Sequence, residues 1–362
     1  MYAQKDQPEW MHPYYATFIK HIDSSTQLPS GDFSEAELSG LYWQMAITQY
    51  YPRQAKQFLT KQVESIQQLS ASAQGKLVEV VSSVGDSSLM NRIWQQRSFL
   101  KTTKSKLAVE VLHSGINGTS LAPALFSEKG DSLWQKAASL CASYGKATVD
   151  IQQLLDPQFL PGEFVYISLQ HRNRDSAGEL RVRTPKGEWL RTNTKEVIRF
   201  PQLARSITNL PFCITNGHTP QGLYKAGAVA SSDNAWIGAT PNLQLALPFE
   251  KTDSPFFDSV VPDSYVQYAS VLASLAKYPN LWEAYYAAAL GRSEIIAHGT
   301  AIPIRWYNGK TYQGFTPSMG CLCMPETWYN SAKAAQSTQQ AFMELHNSLP
   351  SKPRYLLVVN VW

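Results

Sequence analysis

The hydrophobic pattern changes its period near residue 155, and this change limits the fold more than any other feature of the sequence. Before it, apolar residues recur at helical spacing, as in the run that follows a capping box formed by Ser34 and Glu37. After it, the stretch EFVYISLQHRNRDSAGELRVR alternates apolar and polar residues around turn residues, which is typical of a β-hairpin. The sequence therefore predicts an α+β protein, with a helical domain over residues 1–155 and a mostly β domain over residues 156–362.

Further elements are predicted on both sides of this boundary. Pro52 separates two amphipathic helical runs, because proline cannot continue a helix. A helical insertion with the sequence LWEAYYAAAL interrupts the β region and ends at Gly291. The remaining predicted helices cover 74–83, 88–96, 104–113 and 131–143, and the remaining strands cover 195–200, 211–215, 223–230, 235–238 and the final RYLLVVNVW.

The composition excludes several classes of protein. Charged residues make up 17% of the chain, and a formal net charge of +4 over 362 residues is too diffuse for a nucleic-acid-binding surface. The sequence contains no apolar run of the roughly 18 residues that a membrane span needs, and it begins without a signal peptide. Four cysteines do not indicate a disulfide scaffold in a chain of this length, and Cys141 and Cys213 are predicted to be buried thiols.

Cys321 and Cys323 lie two residues apart in the segment SMGCLCMPE and could serve either a metal or a reaction. Structural zinc needs four Cys or His ligands, and this region with His298 offers three. A nucleophilic thiol instead needs a base and a group that orients the base. His298 is the candidate base, and Gly299 after it lets a backbone carbonyl approach the imidazole. Taken alone, these residues also fit a strand-end histidine and a buried thiol without a catalytic role.

Three separated segments strengthen the catalytic interpretation because they occur in a fixed order. They are Thr219–Tyr224 (TPQGLY), His298–Gly299, and Ser318–Leu322 (SMGCL). Together they resemble the catalytic domain of L,D-transpeptidases, the YkuD family, whose members carry T-P-x-G-x-[FY], then a His-Gly step, then [ST]-x-G-C and a hydrophobic residue. The resemblance covers about residues 160–362, and residues 1–150 take no part in it.

This resemblance implies a fold and a chemistry. The fold is a β-sandwich with a lid, for which the helical insertion between Lys225 and His298 is the candidate. Cys321 is the implied nucleophile and His298 the base, with the carbonyl of Gly299 orienting the imidazole and the amides of Gly320 and Cys321 stabilising the oxyanion. The acyl group of a peptidoglycan stem peptide would pass through a thioester on Cys321 to an amine of another stem. No metal and no other cofactor is implied.

Four further residues complete the predicted substrate-binding and oxyanion site: Ser318, Met319, Tyr224 and His218. A loop histidine is commonly exposed and a strand tyrosine commonly packs in a core, so packing alone also explains His218 and Tyr224. The sequence departs from the family pattern at Met319, where most members have histidine, and at Cys323, where most have arginine or asparagine.

These departures leave alternatives to transpeptidation open. In the same fold, the enzyme could be an L,D-carboxypeptidase or an amidase that releases a wall-attached lipoprotein, and a degenerate member could be a non-catalytic wall-binding protein. The resemblance also implies a periplasmic or cell-envelope location, with a signal peptide absent from this sequence. It further implies that carbapenems are covalent inhibitors, acylating Cys321.

Overall fold

A computed structural model describes residues 12–28, 33–117, 132–142, 148–250, 256, 264–307, 309–312, 314–330 and 333–362. Its helices are α1 (His12–Ser25), α2 (Glu35–Thr48), α3 (Arg53–Glu64), α4 (Ala71–Val84), α5 (Ser87–Gln95), α6 (Thr103–Asn117), α7 (Ser132–Ala142), α8 (Ile151–Leu154), α9 (Ser264–Leu272), α10 (Glu283–Ala289) and α11 (Thr338–Ser348). Its strands are β1 (Val165–Gln170), β2 (Gly178–Arg183), β3 (Phe200–Gln202), β4 (Gly222–Ala230), β5 (Asn242–Ala246), β6 (Ile295–His298), β7 (Leu322–Cys323), β8 (Glu326–Asn330), β9 (Lys333–Ser337) and β10 (Tyr355–Asn360). The predicted mixture of helices and strands, helical before residue 155 and richer in strands after it, is confirmed.

The start of the helical region follows its sequence signals. Ser34 caps α2, since its hydroxyl accepts from the Glu37 amide while the Glu37 carboxylate accepts from the Ser34 amide. Pro52 is the N-cap of α3, where its missing amide proton costs nothing. Both predictions are therefore confirmed.

Eight of the strands form one sheet in the order β3-β2-β1-β10-β4-β5-β6-β7. The predicted hairpin is the antiparallel pair β1 and β2, and the C-terminal strand β10 lies parallel to β1. At the far edge, β6 and β7 run parallel, with Ala297 opposite Leu322 and His298 opposite Cys323. The sheet therefore brings together strands from distant parts of the sequence.

Hydrogen bonds between the two edge regions nearly close this sheet. Leu203, just after β3, exchanges two backbone hydrogen bonds with Cys323 of β7, at 2.8 and 2.9 Å. The Ile207 amide donates to the carbonyl of Ser318 over 2.8 Å in the same seam. Segment 203–207 thus holds the backbone around the Cys321 thiol from one side, while β6 holds it from the other.

The two faces of the sheet carry different cores. One face packs around α11, where Phe342 contacts Tyr166 with ring centroids 5.1 Å apart. The other face, through Ile167 and Leu357, joins a larger core that contains Leu41 and Leu59 of the helical region. Residues before and after the predicted boundary at 155 therefore share one continuous core.

Some predicted elements differ from the structure. Segments 211–215 and 235–238, predicted as strands, form turns, whereas β5 and the short hairpin of β8 and β9 were not predicted. The predicted helix at 131–143 begins at Ser132, and residues 131 and 143 lie outside the described part. Cys141 and Cys213 are buried thiols as predicted, with Sγ atoms 3.9 Å apart. Within the described residues, no helix is long and apolar enough to cross a membrane.

Candidate active site

Cys321 and His298 line one cavity of about 160 Å³ at the nearly closed edge of the sheet. His298 is the last residue of β6 and lies opposite Cys323 of β7. Cys321 is therefore two residues before the position that directly faces His298. A strand spacing of about 4.8 Å and a rise of about 3.3 Å per residue place the two Cα atoms about 8 Å apart, with side chains on the same face. The Cys321 thiol itself points to the carbonyl oxygen of Glu294, and among the described residues no hydrogen bond joins it to His298.

The imidazole of His298 is held in one tautomer. Its Nδ1 forms a short hydrogen bond with the carbonyl oxygen of Gly299, and because a carbonyl only accepts, Nδ1 must carry the proton. The lone pair therefore lies on Nε2. Burial lowers the pKa of His298 to about 4, so the ring is neutral near neutral pH but a weaker base than a free imidazole. A neutral ring with an unshared lone pair on Nε2 can accept a proton, which is the first requirement of a general base.

Glu326 packs against the His298–Gly299 step and was not predicted from the sequence. A Cβ atom on Gly299 would overlap the Glu326 carboxyl group, so only glycine fits between the strand and this side chain. Glu326 is buried, accepts a hydrogen bond from Ser337, and has its pKa raised to about 7 by burial. No local pattern marks Glu326, because its partners lie on other segments.

The turn that carries Cys321 is built from the predicted residues Ser318 and Gly320. The Ser318 hydroxyl donates to the carbonyl of Cys321 over 2.8 Å and accepts from the amide of Gly320 over 3.2 Å. Gly320 has φ +109°, a conformation that favours glycine, and a Cβ there would lie 2.5 Å from the carbonyl oxygen of Gly217. The Gly320 amide is thus engaged with Ser318, which leaves the Cys321 amide as the candidate oxyanion donor.

Arg292 holds this turn against the segment that precedes the first motif. Its guanidinium is buried and donates to the carbonyls of Phe212, Gly217 (2.6 Å) and His218 (2.7 Å), with a longer contact of 3.5 Å to Gly320. Arg292 was not predicted from the sequence either, since an arginine on a loop before a strand usually lies at the surface.

The electrostatic surroundings of Cys321 keep its thiol protonated in the resting site. Burial raises the pKa of Cys321, while the backbone amide of Ile296 and the Arg292 cation oppose this rise. The thiol lies 3.6 Å from the carbonyl oxygen of Glu294. The thiol and the imidazole are therefore both neutral in the resting site.

The first motif is tied directly to the third. The Thr219 hydroxyl donates to the carbonyl of Gly320 over 3.0 Å and lies 3.4 Å from that of Cys321. Since β6, which ends at His298, pairs with β7, the Thr219 end of the first motif meets the other two motifs at one edge of the sheet, while Gly222–Tyr224 belong to the interior strand β4.

Two predicted site residues lie away from the cavity. His218 is buried and its Nδ1 accepts from the Ser206 amide over 3.1 Å, which makes this ring neutral. Burial and the nearby cations Arg205, Arg174 and Arg292 lower the pKa of His218 well below its usual value. Tyr224 is fully buried in the core around α11, and its hydroxyl donates to the carbonyl of Pro220 over 2.7 Å. Neither side chain lines the cavity.

The walls of the cavity are mainly apolar and come partly from the helical region. Met319 lines it as predicted, beside Trp43 and Ile47 of α2 and Trp236 of the segment between β4 and β5. Among the described residues, no Asp, Glu, Lys or Arg lines the cavity, and neither α9 nor α10, the predicted lid, contributes to it. The helical region therefore forms part of the candidate site.

The zinc alternative requires a cluster of side chains that can bind a metal ion. In the part of the chain that the structure describes, no group of three or more His, Cys, Asp or Glu side chains is arranged to hold a metal ion. Cys323 is buried, and its Sγ lies 4.0 Å from the carbonyl oxygen of Gly299.

No protein-family model, curated protein or solved structure matches this chain. The resemblance to L,D-transpeptidases therefore depends on the three motifs and stays a prediction.

Proposed function

We propose that this chain is a cysteine acyltransferase of the cell envelope, an L,D-transpeptidase-like enzyme that acts on peptidoglycan stem peptides through an acyl-thioester on Cys321. The observation that carries the proposal is the cavity shared by Cys321 and His298, with the Gly299 carbonyl fixing the tautomer of the imidazole. A YkuD-like sandwich fold and a periplasmic location belong to the same proposal.

The proposed reaction uses these residues in two steps. As Sγ of Cys321 bonds to the carbonyl carbon of the donor peptide, Nε2 of His298 accepts the thiol proton. The C–N bond to the leaving D-amino acid then breaks, and the leaving nitrogen takes the proton from His298. An amine of a second stem attacks the thioester and gives its proton, by way of His298, to the departing sulfur, which restores the thiol.

Hydrolysis is the second candidate. Met319 stands where most members of the family that the motifs resemble have histidine, and this departure affects the transfer to a second stem more than the thiol chemistry. The product would be a shortened stem from an L,D-carboxypeptidase, or a released lipoprotein from an amidase.

Covalent labelling tests the proposal at the nucleophile. Wild type, Cys321→Ala and Cys323→Ala are incubated with a carbapenem, and their intact masses are measured. We expect one adduct on wild type and on Cys323→Ala, and none on Cys321→Ala. An unmodified wild type, or an adduct that survives in Cys321→Ala, would contradict the proposal.

Digestion of defined muropeptides distinguishes the candidate reactions. Dimers indicate transpeptidation, shortened stems indicate carboxypeptidase activity, and free lipoprotein indicates an amidase. If the chain is instead a wall-binding protein without activity, wild type and Cys321→Ala should bind isolated sacculi equally well. Neither protein should then convert muropeptides.

A further inference from the structure

Two buried cysteines touch each other where the helical region meets the sheet. Cys141 lies near the end of α7, and Cys213 lies in the turns between β3 and β4, 72 residues further along the chain. Their Sγ atoms are 3.9 Å apart, and one thiol can donate a weak hydrogen bond to the other. The two residues are 8% and 3% exposed and belong to the large core. The contact therefore joins two segments that are distant in the sequence.

This pair is placed so that its sulfurs can bond to each other. A disulfide forms without movement of the backbone only where the two side chains already lie close together. The sulfurs of the other two cysteines have different neighbours, since Cys321 lies against the carbonyl oxygen of Glu294 and Cys323 against that of Gly299. The geometry thus favours a bond between Cys141 and Cys213 over one that includes the candidate nucleophile.

Cys213 belongs to the segment that Arg292 holds. The carbonyl of the preceding residue, Phe212, accepts a hydrogen bond from the Arg292 guanidinium, which also donates to Gly217 over 2.6 Å and reaches the turn that carries Cys321. A covalent bond from α7 to Cys213 would fix one end of this segment independently of the guanidinium. The pair therefore lies where a crosslink would restrain the support of the candidate site.

We propose that Cys141 and Cys213 form a disulfide with each other when the chain folds in an oxidising compartment. The two thiols lose two protons and two electrons, one S–S bond forms, and the disulfide of a thiol oxidant is reduced to two thiols. Disulfides persist in such compartments, which agrees with the proposed envelope location. The inference does not rest on the chemistry proposed for Cys321, because it concerns two other cysteines.

The oxidation belongs to folding rather than to the folded protein. The hydrogen bond with Cys213 and burial raise the pKa of Cys141 well above its usual value, so the folded protein offers little of the thiolate that attacks an oxidant. Burial also keeps a dissolved oxidant away from both sulfurs. Once the bond has formed, the same burial shields it from reductants.

Refolding in a redox buffer tests the proposal. Wild type is reduced and unfolded in urea, refolded in a mixture of reduced and oxidised glutathione, and unfolded again for alkylation with iodoacetamide. Peptide mapping without reductant should show Cys141 linked to Cys213, with neither of them alkylated. The variant Cys321→Ala/Cys323→Ala, which retains only the proposed pair, should form the same link. Alkylation of Cys141 and Cys213 after refolding, or a link that includes Cys321 or Cys323, would overturn the proposal.

Thermal melts of the same proteins measure the effect of the link. A crosslink across a long segment restricts the unfolded chain, so the linked Cys321→Ala/Cys323→Ala variant should melt about 4–10 °C above its reduced form. The matched control adds Cys141→Ala to this variant and should melt at the same temperature with and without reductant. Equal melting temperatures of the linked and reduced forms would refute the stabilising effect of the crosslink.

Discussion

Replacing Arg292 by methionine should destabilise the protein far more than the same change at the surface. The guanidinium is 5% exposed and donates to the backbone carbonyls of Phe212, Gly217 and His218. Methionine fills similar space but leaves three buried carbonyls without this donor, at about 1–2 kcal/mol each. The relieved desolvation of the cation offsets part of this. We therefore expect the free energy of unfolding to fall by about 3–5 kcal/mol, a large part of the roughly 5–15 kcal/mol that stabilises most proteins.

Urea unfolding followed by tryptophan fluorescence measures this loss, with Arg92→Met as the matched control. Arg92 pairs with Glu64 at 3.2 Å on the surface of the helical region, where its side chain is 47% exposed. An exposed pair contributes about 0–1 kcal/mol, so the control should unfold close to wild type. If Arg292→Met unfolds at the same urea concentration as Arg92→Met, the guanidinium does not hold the loops as described.

Arg292→Lys separates the charge of Arg292 from its shape. Lysine keeps the cation but cannot present the planar fork that reaches several carbonyls at once. We expect it to lose much of the stability while preserving the pH dependence of Cys321 alkylation, whereas Arg292→Met should shift that dependence to higher pH. The direction follows because the Arg292 cation opposes the rise in the pKa of Cys321. An alkylation profile that Arg292→Met leaves in place would refute the electrostatic role.

Three further predictions concern the base and its support. The pKa of His298 is about 4, so acylation of Cys321 should lose its base as pH falls through about 4 rather than 6.5, and His298→Ala should slow it about 10²–10⁴-fold at pH 7 by stopped-flow measurement. Gly299→Ala should also abolish rapid acylation, because the new methyl group overlaps Glu326 and displaces the imidazole; wild-type rates would contradict the packing. Burial raises the pKa of Glu326 from 4.5 to about 7, so the folded state holds a proton in this window and unfolding free energy should fall as pH rises from 4.5 to 7. Thermal melts should show that the stability of Glu326→Gln depends less steeply on pH than that of wild type. Some pH dependence should remain, because burial also raises the pKa of Glu283 to about 7.

Local signals predicted the local structure well. The capping box at Ser34, the stop at Pro52 and the alternation of β1 and β2 depend on neighbouring residues, so the sequence displays them directly. Segment 211–215 was mistaken for a strand because its apolar residues are buried in turns instead, with the Ile214 amide bonded to the carbonyl of Pro211. A short apolar run in a sequence can form either a strand or a buried turn, and tertiary contacts decide which of the two forms.

The candidate site was predictable only where its residues form motifs. Cys321 and His298 were identified because glycines beside them reflect tight backbone approaches, which the structure explains at Gly299 and Gly320. Arg292 stands alone in the sequence and acts through carbonyls of a segment about 75–80 residues earlier, so no spacing reveals it. Trp43, which lines the cavity from α2, was missed for the same reason.

The pKa shifts of Cys321 and His298 affect which molecules the thiol can react with. Burial raises the pKa of the thiol and lowers that of the imidazole, so both changes favour the neutral pair over the thiolate–imidazolium pair. A neutral thiol reacts slowly with small electrophiles in solution, since the thiolate is the nucleophile. In the proposed reaction, rapid acylation then requires a carbonyl held beside Sγ while His298 takes the proton, and a substrate seated in the cavity provides this arrangement. The partial burial that raises the pKa of the thiol would therefore restrict the proposed chemistry to molecules that the surrounding walls can position.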